Sequence, residues 1–183
     1  MPIPAFMLSV VARQRAQLGA DFLRQFPNHW LVWEPGPWRP TATREAANHR
    51  PTLPPGTAPP PRPTGEDAVC YPLPAEPGKL VSVGRSTSND VVVNDLTVSR
   101  HQLTLESTDE GWRVVLLATR SQEPPGGLSA WSGRLNGVRM THGDWYPLRS
   151  GDVLTVGEAA LSYYRPEGFL ERLARGGPTA SLG

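Results

Sequence analysis

Val83-Gly84-Arg85-Ser86-Thr87-Ser88-Asn89-Asp90-Val91-Val92-Val93-Asn94-Asp95-Leu96-Thr97-Val98-Ser99-Arg100-His101-Gln102-Leu103-Thr104-Leu105 is the stretch on which the fold of this 183-residue chain turns. It contains a short valine run at 91–93 between two segments rich in Ser, Thr, Asn and Asp. The first kind of segment suits a strand and the second a turn, because short polar side chains satisfy nearby backbone groups locally. Leu103 and Leu105 alternate with Thr104 and Glu106, the pattern of a strand with one buried face. From Ala68 onward the same rhythm repeats. It predicts strands at 68–73, 79–83, 90–93, 102–107, 112–117, 134–136, 138–140, 153–156 and 160–164. Turn residues separate them, including Glu76-Pro77-Gly78, Asn136-Gly137 and Ser150-Gly151-Asp152. Short strands with frequent turn signals predict a β-sandwich or barrel.

Outward from this region the composition changes. Phe6, Val10, Leu18, Phe22 and Phe26 are spaced by four or eight, with polar residues between them, so a helix is expected over 5–26, ended by Pro27-Asn28. Residues 29–38 then carry three tryptophans, Trp30, Trp33 and Trp38. Each such ring can bury about 150–250 Å², so this segment is expected to dock on the helix, on the sandwich or on a partner. Residues 39–66 are proline-rich, with Pro51, Pro54, Pro55, Pro59, Pro60, Pro61 and Pro63 close together and no periodic apolar face. An extended linker is the expectation there. At the other end, Phe169, Leu170 and Leu173 share one side of a short helix over 167–175, with Arg172 and Arg175 near its C-terminus, where the helix dipole favours cations. The organisation read from sequence is 1–38 helix plus Trp-rich segment, 39–66 linker, 67–166 sandwich and 167–183 helix and tail.

Charge sets limits on partners. With 18 basic and 17 acidic residues there is no electrostatic footprint for nucleic acid and little attraction to an acidic membrane surface. No apolar run approaches the roughly 18 residues of a membrane helix. The apolar start, 1–11, has no preceding positive charge and is followed by Arg13 and Arg15, an order unlike a secretion signal. A lone Cys70 forms no internal disulfide and suits a reducing compartment. A soluble cytoplasmic protein is expected.

Several motifs in the sandwich occur together and in a particular order: Gly84-Arg85-Ser86, Asn89-Asp90-Val91-Val92-Val93, Thr97-Val98-Ser99-Arg100, Leu135-Asn136-Gly137, and Leu148-Arg149-Ser150-Gly151-Asp152 with Val156-Gly157. In that order they resemble the forkhead-associated (FHA) domain of bacterial type, over roughly residues 66–166. The resemblance implies a mainly β fold, an FHA-like antiparallel β-sandwich, here with an N-terminal helix and a short C-terminal helix. It also implies a module that binds phosphothreonine peptides. A phosphate monoester needs a fixed cation and several donors, and arginine offers a planar fork for two oxygens. By resemblance, Arg85 and Ser99 would contact the phosphate, Arg100 and Ser86 would add contacts from the same loops, and Asn136 would bind the peptide main chain. Asn136-Gly137 is also a strong hairpin signal, since both positions accept positive φ.

Two departures stand out. The family pattern Ser-Arg-any-His has glutamine, Gln102, where the bracing histidine is expected, and His101 lies beside it. Glutamine both donates and accepts, so it can take the bracing role; otherwise the site is loosened. Second, the turn that normally precedes the Asn-Gly hairpin is replaced by 119–132, containing Trp131, either a peptide contact or a packing residue.

No enzyme constellation competes. The four histidines are scattered, the 84–89 loop lacks the lysine of a nucleotide phosphate loop, and no nucleophile elbow occurs. The resemblance implies no catalytic residue, cofactor or metal. The partner it implies is a phosphothreonine-containing protein, a Ser/Thr kinase or its substrate, and the expected role is an adaptor in kinase signalling. The alternative is a phosphate-independent interaction or structural scaffold on the same fold, with the tryptophan segment as its contact surface.

Overall fold

A computed structural model describes residues 2–36, 63, 67–117 and 133–175. The linker expected over 39–66 (Pro63 aside), the 119–132 loop with Trp131, and Trp38 lie outside the described residues.

Two sheets face each other. The larger has seven strands in the order β1-β3-β2-β12-β11-β8-β9, and the smaller has five in the order β10-β7-β6-β4-β5. The N-terminal strands are β1 (Phe6–Met7), β2 (His29–Trp33) and β3 (Val69–Leu73). Next come β4 (Leu80–Gly84), β5 (Val91–Val92), β6 (Leu103–Thr108) and β7 (Gly111–Leu116). The last five are β8 (Gly133–Leu135), β9 (Val138–Arg139), β10 (Trp145–Pro147), β11 (Val153–Val156) and β12 (Ala159–Tyr164). Pairing is antiparallel except for β4 with β5. Helices are α1 (Leu8–Leu18), α2 (Phe22–Gln25) after a 3-10 turn at Gly19–Asp21, and α3 (Pro166–Arg175). None of the described helices is long and apolar enough to cross a membrane.

The fold class agrees with the sequence expectation, and the nine expected strands are present with ends shifted by a residue or two. Three strands were not foreseen. β1 and β10 are short edge strands, and Pro147 in β10 is tolerated because an edge strand has a free side. β2 is the important one. It lies between β3 and β12, pairing Trp33 with Val69 and Leu161. The sandwich therefore takes in the tryptophan segment that the sequence reading set apart as 1–38, and its boundary is not at residue 67.

The physical reason is double burial. Leu31 and Trp33 point into the core between the sheets, together with Val69, Tyr71, Leu103, Leu105, Val114, Leu154 and Leu161. Trp30 and Val32 point the other way, into a second core with Leu8, Val11, Phe22, Cys70, Phe169 and Leu173. A strand buried on both faces reads as an unbroken apolar run without alternation. The second core is how α1, α2 and α3 cover one half of the larger sheet. Trp30 stacks on Phe169 with ring centroids 4.3 Å apart, and Arg172 holds Glu34 through a forked pair at 2.6 and 3.2 Å. Trp30 and Trp33 are 1% and 3% exposed, so neither is a contact surface for a partner.

Candidate phosphate-recognition site

β4 ends at Gly84, and the chain there passes close beneath the loop that leads into β6. A Cβ on Gly84 would sit 2.3 Å from the Arg100 carbonyl oxygen, closer than any side chain tolerates, so only glycine fits. That approach lets the backbone stitch the two loops together. The Arg85 amide donates to the Ser99 carbonyl at 2.8 Å and the Ser86 amide to that of Arg100 at 3.1 Å. Val93 donates to the Gly84 carbonyl at 3.0 Å, closing the 85–92 loop on itself.

Side chains complete the frame. Asn89 is 2% exposed, and its amide nitrogen donates to Ser86 O at 2.8 Å and Arg100 O at 2.6 Å, so one side chain holds both loops. Its Oδ1 faces His101 Nδ1 at 2.8 Å, which makes that ring nitrogen the donor. Gln102 is 1% exposed, and its Oε1 accepts from the Ser99 amide at 2.9 Å. The glutamine thus occupies the bracing position, while His101 is exposed. Farther along, Asp95 accepts from the Thr97 amide and hydroxyl at 2.8 and 2.6 Å, and Thr97 Oγ1 accepts from the Glu158 amide at 2.8 Å. The loop is thereby pinned to the β11–β12 turn. Gly157 makes this contact possible, with φ of +59° and a Cβ position only 2.3 Å from Thr97 O.

Two groups remain open within this frame. Ser99 is 4% exposed, yet among the described residues its hydroxyl has no hydrogen-bond partner. Leaving a buried hydroxyl unpaired costs about 1–3 kcal/mol, so such a group calls for an explanation. Beside it, Arg85 Nε donates to Val98 O at 3.1 Å, which fixes the guanidinium, and among the described residues Arg85 forms no ion pair. Burial disfavours its charge first, the nearby Arg100 cation adds to that, and Asp95 partly opposes it, so its pKa lies below the ordinary arginine value. Arginine nevertheless stays protonated at neutral pH. The result is a half-buried, oriented cation with a like charge beside it and an unsatisfied hydroxyl close by. An anion with several acceptor oxygens suits this arrangement.

Of the residues singled out from sequence, Arg85, Ser86, Ser99 and Arg100 come together at this end of the sandwich. Ser86 Oγ is hydrogen-bonded with Ser88 Oγ at 2.9 Å on the exposed loop. Asn136 does not join them. β8 runs from Gly133, opposite Val156 at the site end, to Leu135, opposite Leu154, so the hairpin turn lies at the far end. There Asn136 takes φ of 51°, as the tight turn requires. Its amide nitrogen donates to Asp152 Oδ1 and its Oδ1 accepts from the Val153 amide, each at 2.9 Å. Sequence reasoning gave Asn136 a peptide contact, and it included Asn89 in a motif without giving it the bracing role that the structure shows.

Residues 81–157 match the FHA domain family, starting within β4 and ending at the glycine that seats Thr97. The matched span is an FHA domain. Strands β1 to β3, β12 and the helices lie outside the matched span. Among solved structures, the FHA domain of an Arabidopsis thaliana hypothetical protein is 22% identical, covering 76% of this chain and 86% of that one, with a TM-score of 0.46. The FHA domain of the CT664 protein from Chlamydia trachomatis is 14% identical, covering 74% of this chain and 96% of that one, with a TM-score of 0.46. The N-terminal FHA domain of S. cerevisiae Rad53p, solved with a phosphothreonine peptide, is 19% identical, covering 51% of this chain and 73% of that one, with a TM-score of 0.40. No curated protein matches the chain significantly.

Proposed function

We propose that this FHA protein is a phosphothreonine-peptide reader, an adaptor that captures a partner after a Ser/Thr kinase has modified it. The observation that carries the reading is the buried Ser99 hydroxyl without a partner among the described residues, beside an arginine fixed by a backbone carbonyl. A phosphate oxygen would satisfy the hydroxyl, and the dianion would offset the Arg85 and Arg100 charges. In this reading the phosphate is a handle and undergoes no chemistry, so the protein acts by binding and not as an enzyme. Arg85 and Ser99 take the phosphate, and Arg100 and Ser86 supply contacts from the flanking loops. Asn136 has no part, because its side chain is committed at the far end.

Calorimetric titration with a degenerate phosphothreonine peptide pool tests the proposal. Arg85→Ala is expected to weaken binding by about 1.5–3 kcal/mol, roughly 10- to 150-fold, the range for hydrogen bonds to charged groups. The unphosphorylated pool is expected to give no saturable heat. Equal binding of the two pools would overturn the reading and favour a phosphate-independent scaffold.

A further inference from the structure

We propose that the outer face of the β8–β9 hairpin, carrying Arg134 and Arg139, is a second docking surface, made for a carboxylate-rich segment of a protein partner. Arg134 and Arg139 are directly opposite each other in the antiparallel register. The Met140 amide donates to Gly133 O at 2.9 Å, so the pair just inside it, 134 with 139, is the non-hydrogen-bonded kind in which side chains stand closest. Like charges placed directly opposite in this way destabilise a sheet.

Elsewhere the chain avoids that arrangement. On the smaller sheet the equivalent cross-strand pair is Glu106 with Arg113, which form an ion pair, and Arg172 is matched by Glu34. Among the described residues neither Arg134 nor Arg139 has an ion-pair partner, and the hydrogen bond Arg134 makes is to Gly137 O at 3.2 Å. Edge protection accounts for a charge on β9, the last strand of its sheet. It does not account for a second cation facing it from β8. The surroundings fit a docking role. The helices cover the β3, β2 and β12 side of this sheet, whereas both arginines are exposed. Two neighbouring guanidinium forks match carboxylates in geometry and sign. The hairpin turn is at the opposite end from Arg85, so both surfaces could be occupied at once, and linkage would raise the avidity for a partner bearing both features.

The test is fluorescence anisotropy of a labelled oligo-glutamate peptide with the full chain at low salt. Saturable, salt-sensitive binding is expected, and R134Q/R139Q is expected to weaken it at least about fivefold. R13Q/R15Q on α1 and Arg85→Ala should leave it unchanged. The double variant should also melt at the same or a higher temperature, since a repulsion is removed. Equal binding by R134Q/R139Q, an equal loss in R13Q/R15Q, or no saturable binding would overturn the proposal. So would salt-dependent self-association abolished by R134Q/R139Q without peptide binding, which would give the face to a second copy of the chain.

Discussion

The two ends of the sandwich use the same kinds of residue to opposite effect. At one end Ser99, Arg85 and Arg100 stand on loops held by Asn89, Gln102 and Thr97, and the buried Ser99 hydroxyl is left unpaired among the described residues. At the other end Asn136 commits both its amide nitrogen and its amide oxygen, to Asp152 and Val153. An asparagine in a tight turn and a serine before a strand look equally eligible as ligands on paper. The difference is where the donors and acceptors are spent. The proposed site is the end whose frame is satisfied while the Ser99 hydroxyl is not.

Changes at the pins of the open end should do the most damage. Gly157→Ala puts a side chain on a positive φ and against the Thr97 backbone, and is expected to destabilise the fold by roughly 3 kcal/mol. Because Thr97 and Ser99 share a loop, peptide affinity should fall with it. Chemical denaturation and titration on the same sample check both. Gln102→Leu leaves the buried Ser99 amide without its acceptor, at about 1–3 kcal/mol, and should weaken peptide binding as well. Asn136→Ala should cost about 1–2 kcal/mol through its lost hydrogen bonds yet leave peptide affinity unchanged. A loss of affinity in that variant would break the contrast between the ends.

The smallest effects are those of pH, and they should also separate the ends. Phosphothreonine gains its second charge near pH 6 while arginine stays charged, so affinity should rise severalfold between about pH 5 and pH 7. At the far end His29 is held neutral, first by burial and then by Arg165, with its pKa below the ordinary 6.5. The unfolded chain therefore binds more protons than the folded one as the solution turns acid. This contribution to stability is complete above about pH 6.5 and fades as pH falls through the lower native value. Melting curves across that range, with and without His29→Gln, would show it.

Much of the fold could be read from residue order, because Leu103 and Leu105, Gly84-Arg85 and Asn136-Gly137 signal strands and turns locally. β2 was hidden for a definite reason: Trp30 to Trp33 face two cores at once, and nothing in an unbroken apolar run tells which neighbours will flank it. Arg85, Ser86, Ser99 and Arg100, the residues of the proposed site, sit in two short motifs whose backbones hydrogen-bond to each other. For Asn136 the turn motif fixes the backbone but not the end of the sandwich it occupies. Asn89 and Gly157 act through contacts with residues 11 and 60 positions away in sequence, Arg100 and Thr97, and such pairings emerge only in three dimensions.

The most direct measurement is amide chemical-shift mapping of the isotope-labelled chain during titration with a degenerate phosphothreonine peptide pool. The account predicts that the amides of Arg85, Ser86, Ser99 and Arg100 move progressively and saturate, while those of Asn136 and Gly137 stay in place. Shifts centred on the Asn136 hairpin, or unchanged spectra at Arg85 and Ser99, would contradict it.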